Sequence, residues 1–196
     1  MAVHDAVIGS ISAQEIPVLF GPGPHVVRNE PLLAGLAALA AGLLVALDAA
    51  GLVVPWDASQ TFAAGAGDGA EKDFAGVLGP VEPGSVSVTD GTETFADDGF
   101  GALTGDAGGT GSVNYQTGSF AATFNVAPLA EAPVTAGYKP VLRGVLLRPA
   151  VADAGDCEVV IHGKVVQAQL TVGVAAPAAP TADQMLSMER LGLWPQ

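Results

Sequence analysis

The chain has 196 residues, with 20 acidic and 7 basic side chains and a formal charge of −13, so an interface with phosphate backbones or anionic lipid is not expected. Charged residues make up only 14% against 26 glycines and 14 prolines, which favours short strands and tight turns over long soluble helices. A single cysteine, Cys157, excludes an internal disulfide.

The opening residues MAVHDAVIGSISAQE have neither a basic n-region nor an apolar h-region, which argues against a Sec signal. Residues 1–30 show no lasting period, and Phe20-Gly21-Pro22-Gly23-Pro24 forbids regular structure, so they read as an extended arm. Such an arm gains order from a partner surface or frays as a terminus.

Pro31 to Leu47 is the one stretch apolar enough to raise a membrane span, at the lower edge of the length needed. Gly35, Gly42 and a hairpin signal immediately after it argue against a span, and no membrane partner is expected. Pro31 to Ala41 is compatible with a short helix or an extended approach. Leu43–Leu47 and Leu52–Val54 flank Asp48-Ala49-Ala50-Gly51 and predict a β-hairpin ending at Pro55-Trp56-Asp57.

Ala58 to Gly69 reads as a loop, and Phe74–Gly79 as a short apolar run. From Ser85 the texture changes to strict alternation, as in Ser85-Val86-Ser87-Val88-Thr89, with turns at Asp90-Gly91 and Gln116-Thr117-Gly118. Period two with glycine turns predicts antiparallel strands, so Val81 to Tyr138 is expected to hold five or six of them. Phe95, Phe100, Tyr115, Phe120 and Phe124 lie here, several of them expected in its core.

Val141–Leu147 predicts a strand, and Asp156–Ile161 another. His162-Gly163-Lys164 reads as a turn, with Val165–Val172 returning. Ala175–Pro180 is a stiff linker, and Thr181 is placed to cap a short helix ended by Gly192.

No HExxH, CxxC, GxSxG or phosphate-binding glycine loop occurs, and the histidines His4, His25 and His162 are far apart in sequence. Enzymatic activity is therefore not expected, nor is a cofactor. Cys157 reads as a buried structural thiol. Asp97, Asp98 and Asp106, with Asp90, fit either a calcium cluster or turn aspartates that bond their own backbone; their spacing is not that of an EF-hand, and no metal ligands are assigned.

AAGLLVALDAAGLVVPWD, followed by VLRGVLLRPAVADAGDCEVVIHGKVVQAQL, resembles the lambda-type head decoration proteins of tailed phages. The matching pieces are the strand Gly42–Leu47, the turn Asp48–Gly51, the strand end Val54–Asp57, the Gly144–Leu147 strand, Ala154–Asp156 and the turn-like His162–Gly163. The tail Ala182–Trp194 is similar to a terminal helix that some members carry. Where simple members have a brief connection, Ser59 to Pro140 is inserted here; its VEPGSVSVTDGTETF looks like a module found in phage virion and tail proteins.

The resemblance implies a mainly all-β chain. Residues 31–80 and 139–196 would form a small β-barrel-like decoration domain, and 81–138 an inserted antiparallel β-sandwich-like module. An extended N-terminal arm and a short C-terminal helix complete it. It also implies a structural virion protein, made in the host cytoplasm and bound to the outer capsid surface. Its partners would be the major capsid protein and two further copies of itself, as a homotrimer at three-fold or quasi-three-fold sites, with no nucleic acid. The arm would add a strand to a capsid sheet through Val7, Ile8, Ile11, Ile16, Val18 and Phe20. Trp56, Leu146 and Trp194 would anchor the core or trimer interface. Two other readings stay open: a glycan- or cell-surface-binding adhesin, with host-surface glycans as partners of the module, and a tail or baseplate structural protein.

Overall fold

A computed structural model describes residues 23–151 and 155–196. The described residues are mostly β, 46% of them in strands and 7% helical, as the sparse charge and short alternating runs predict. It divides into two compact units, Met1–Leu44 with Gly144–Gln196 and Val45–Arg143. The arm positions Val7, Ile8, Ile11, Ile16, Val18 and Phe20 lie outside the described residues.

In the first unit, β1 (Val26–Pro31) pairs antiparallel with the long β13 (Asp156–Val165). Residues 26–30 are thus a strand, not part of a structureless arm. The sequence VVRNEP carries no alternation because most of its side chains are exposed; pairing with β13 makes it a strand. The inner end of β12 (Leu142–Leu146) pairs β13 through Val145↔Val160 and Leu146↔Val159. Leu39 to Leu44 runs alongside as extended chain and turns, and no helix forms at Pro31 to Ala41. Leu39 bonds Ala150, Gly42 N–H donates to Leu146, and Leu146 N–H donates to Leu43.

The turn expected at His162-Gly163-Lys164 does not form: β13 runs straight through it. Gly163 serves close approach instead, because a Cβ there would press into the His25 ring at 2.5 Å. The strand then has a neighbour on each side at this point. Val26 opposes His162, and β14 (Leu193–Pro195) lies parallel with Leu193 opposite Gly163. Val165–Val172 is not a returning strand; it holds a single 3-10 turn at Gln167–Gln169 and isolated bridges. The expected helix forms as α1 (Ala182–Arg190), with a reciprocal cap: Thr181 accepts from Gln184 N–H while the Gln184 side chain accepts from Thr181 N–H.

In the second unit, Val45–Leu47 at the end of β2 (Leu44–Leu47) pairs with β3 (Val53–Pro55), giving the expected hairpin. Asp48 closes its turn, with its carboxylate accepting from Ala50 and Leu52 N–H and its carbonyl from Gly51 N–H. The remaining strands are β4 (Gln60–Ala66), β5 (Asp73–Val77), β6 (Ser87–Thr89), β7 (Thr94–Asp97), β8 (Ala102–Gly105), β9 (Thr110–Asn114), β10 (Ser119–Thr123) and β11 (Pro133–Tyr138). They form one nearly closed antiparallel sheet in the order β4-β11-β6-β7-β8-β9-β10-β5.

Strands β6 to β11 fall inside Val81 to Tyr138, matching the alternation read there. The sheet begins earlier, however: Gln60–Ala66 is a strand, not a loop. Its small residues hide the period, since β4 buries no side chain completely. Alternate side chains of β8, β10 and β11 point into a core of Phe95, Phe120, Phe124, Val88, Leu103 and Val134. Phe124 packs edge-on against Phe95 and Phe74, with ring centroids 4.9 and 5.6 Å apart.

Candidate interaction surfaces

Turn aspartates accept from nearby backbone. Asp90 takes Thr92 and Glu93 N–H, Asp98 takes Phe100 and Ala102 N–H, and Asp106 takes Thr94 N–H. The N–H of Phe100, then that of Ala102, hold the Asp98 carboxyl below its usual range, so it is a fixed negative charge at neutral pH. Among the described residues no three carboxylate, histidine or cysteine side chains gather in a metal-binding group. The backbone bonds of Asp90 and Asp98 are those of turn aspartates.

Asp97 organises the neighbouring hairpin tip. Its carboxylate receives the Tyr115 hydroxyl at 2.5 Å and the backbone of Gly84, Val86 and Gly99. Tyr115 in turn accepts from Gly101 N–H at 2.8 Å. Burial, then the bond to Asp97, raises the Tyr115 phenol above its ordinary value, so the hydroxyl stays protonated as the donor. The result is a loop, Asp98 to Gly101, stapled at both ends, with Phe100 at its tip 94% exposed. Of the module's aromatics, Phe95, Phe120 and Phe124 are buried while Phe100 stands in solvent. Its place between Asp98-Gly99 and Gly101, at a turn and not in an alternating run, is the signal that separates it from the other three.

On the same unit a partly open cavity of about 150 Å³ is lined by Leu47, Pro80, Val141, Leu142 and Arg143. Val141 N–H donates to Pro80, and Glu82 N–H to Lys139, fixing these two segments side by side.

At the opposite end of the sheet, Glu93 is a carboxylate only 3% exposed. Its oxygens accept from Gly109 N–H at 2.6 Å and Asn125 N–H at 2.8 Å. Any Cβ at Gly105 or Gly109 would run into that carboxylate, so the two glycines leave its space. The sequence carries no sign of this buried acid beyond its position among turn residues.

The expected anchors fall in different surroundings. Trp56 is buried, and its indole donates to Glu82 at 2.9 Å. Leu146 is fully buried in the first unit. Trp194 is half exposed and stands edge-on to His162 with centroids 5.0 Å apart. Pairing of β1 with β13 brings His25 and His162 to the same end of the ladder despite their distance in sequence. Cys157 is buried, and its thiol points at the Glu30 carbonyl at 3.6 Å. Burial, helped by the charges of Glu30 and Asp156, pushes that thiol up to about 11, so it stays protonated and unreactive near neutrality.

β1 ends the order of strands in its ladder, and among the described residues its backbone pairs only with β13. Val26 and Val27 are exposed on it. An edge of this kind offers unpaired N–H and C=O groups to another chain. Among the described residues no helix is long and apolar enough to cross a membrane. Comparison of the chain with models of known protein families, with characterised proteins and with solved structures finds no match.

Proposed function

We propose that this chain is a structural virion protein that binds the outer surface of a phage capsid, as a trimer at three-fold or quasi-three-fold sites, and clamps the major capsid lattice. The observation that supports this most directly is the pairing of the two segments that carry the family resemblance. Gly42-Leu43, leading into the β2–β3 hairpin, exchanges backbone hydrogen bonds with Leu146 of the GVLL strand, although the whole eight-stranded sheet is encoded between them. That is the connectivity expected of a decoration domain carrying an insertion. The resemblance loses one of its pieces, since His162–Gly163 lies within a strand.

The exposed edge of β1 continues directly from the N-terminal segment, which suits strand addition to a neighbouring sheet. Binding only the expanded lattice would stabilise it by linkage, and repetition over a shell adds avidity.

The test is co-sedimentation of the purified chain with expanded and unexpanded shells of the phage that encodes it. Pelleting with expanded shells alone, together with increased resistance of those shells to heat, is the expected result. Failure to bind expanded shells, or particles equally heat-resistant without the chain, overturns the reading.

A further inference from the structure

The stapled Phe100 tip and the cavity at Leu47, Pro80, Val141, Leu142 and Arg143 have the form of a knob and a hole that no contact within one copy joins. We propose that Phe100 of one copy seats in this cavity on the next copy, closing a ring of identical subunits. This rests on the reading of the chain as a self-associating trimer and names the contact through which the second unit takes part.

Three properties carry it. The first is size: an apolar cavity near 150 Å³ is large enough to hold a benzene ring. The second is chemistry. Four of the five lining residues, Leu47, Pro80, Val141 and Leu142, are aliphatic, which suits burial of an aromatic ring. The third is placement. The chain enters the eight-stranded sheet at Gln60 and leaves it at Tyr138, which pair with each other. The cavity segments follow at that end, since Val81 bridges Pro140. The Phe100 tip lies at that end too, because Asp97 at its base holds Gly84 N–H at 2.8 Å. A rotation about an axis along the barrel keeps height unchanged, so a knob and a hole at one level can meet around a closed ring, which is the heterologous contact that cyclic symmetry needs.

The tip is pre-organised, so little order is lost on docking. The Asp97–Tyr115–Gly101 bonds and the Asp98 bonds to Phe100 and Ala102 fix the loop before any partner arrives. A rigid aromatic filling a mostly aliphatic pocket is the usual form of an interface hot spot.

The experiment measures oligomer mass against concentration by sedimentation velocity for the whole chain and three variants. Phe100→Ala, at a solvent-exposed site, should leave the fold intact and raise the dissociation constant about tenfold to a hundredfold. Val141→Trp, which adds bulk to the cavity lining, should do the same. The double variant should be no weaker than the poorer single one, because both remove one contact. Additive losses, or a trimer indifferent to Phe100→Ala, overturn the contact while leaving the trimer in place. A wild-type chain that stays monomeric overturns the contact and the trimer together; shell binding is read separately by co-sedimentation.

Discussion

From β6 to β10 every strand of the second unit pairs with the one that follows it in sequence, and the side chains alternate in and out along each. In the first unit the main ladder joins chain ends: β1 pairs β13, where Glu30 and Cys157 sit 127 residues apart. The run β6 to β10 is assembled from neighbours and closed by the longer pairings of β11 with β4 and β6 and of β10 with β5, whereas the first unit's ladder joins segments that meet only when the chain has come round. Local pairing closes small loops and forms fast, whereas the split ladder must close a loop the length of the inserted sheet. The same contrast separates their cores: interlocking phenylalanine rings in the second unit, aliphatic strands and isolated bridges in the first.

The strongest way to break the comparison is to empty one core and watch the other. Phe124 is buried and touches both Phe74 and Phe95 edge-on. Phe124→Ala should cost about 3–5 kcal/mol in the second unit. Amides of β8 to β10 should lose hydrogen-exchange protection, while those of β13 keep theirs. Equal loss in β13 would show that the two regions unfold as one.

A matched pair of glycines sharpens the contrast further. Gly42 in the first unit has φ +84°, and its Cβ would overlap the Gln169 carbonyl oxygen. Gly118 in the second has φ +69°, and its Cβ would overlap the Gly79 carbonyl oxygen. Alanine at either site combines left-handed backbone strain with a clash against fixed backbone, together about 2–4 kcal/mol. Gly118→Ala should lower the unfolding midpoint of the second unit and Gly42→Ala that of the first, followed by pulse-labelled exchange. Effects of each that spread over both units would erase the distinction.

The same contrast explains what could be read from the residues alone. β6, β7, β9 and β10 were legible because one face is buried and the turns are short, so period two and glycine mark each strand, while β8 and β11 were legible only as part of the expected five or six strands. The hairpin at Asp48–Gly51 and the capped helix after Thr181 were legible for the same local reason. β1 was not, because Val26–Pro31 becomes a strand through a remote partner. β4 was not, because Thr61, Ala63, Ala64 and Gly65 are too small to show a period. The turn expected at Gly163 went wrong because a glycine also marks a place where another segment passes close, here His25 and Leu193. Phe100 lies in the middle of the inserted sequence while the cavity residues Leu47, Pro80, Val141, Leu142 and Arg143 fall before, within and after it, and only pairing of the intervening strands brings them to one end of the barrel.

The first unit carries an alkaline pH signature at its thiol, separate from the raised phenols of Tyr115 and Tyr138 in the second. Burial raises the Cys157 thiol from 9.0 to about 11. Between those values the unfolded chain has released this proton and the folded chain has kept it, so stability falls as pH rises. The contribution is intact below pH 9 and lost by about pH 11, a change of about 2–3 kcal/mol. Denaturant titrations at pH 8 and pH 10.5 should show a larger loss in wild type than in Cys157→Ala, which keeps only the part set by the raised phenols of Tyr115 and Tyr138. A Cys157→Ala chain with the same pH slope would assign the loss to other groups.

The smallest expected effect lies at the end of the first unit, where α1 leads into β14. Thr181 accepts from Gln184 N–H, and Gln184 returns the bond to Thr181 N–H, so two backbone donors of the first turn depend on one side-chain pair. Met188 is the buried residue of this helix, so packing alone gives it limited hold. Thr181→Ala should therefore cost about 1 kcal/mol, and Thr181→Ser close to nothing, because serine caps as well as threonine. The loss should appear first as faster exchange of Met185 N–H, which donates to Thr181. It should reach Trp194 as a change in fluorescence, because the tryptophan follows the helix and stands against His162 on β13. An unchanged Trp194 signal in Thr181→Ala, with Met185 exchange accelerated, would mean that β14 is held by its parallel pairing to β13 and not by the helix before it.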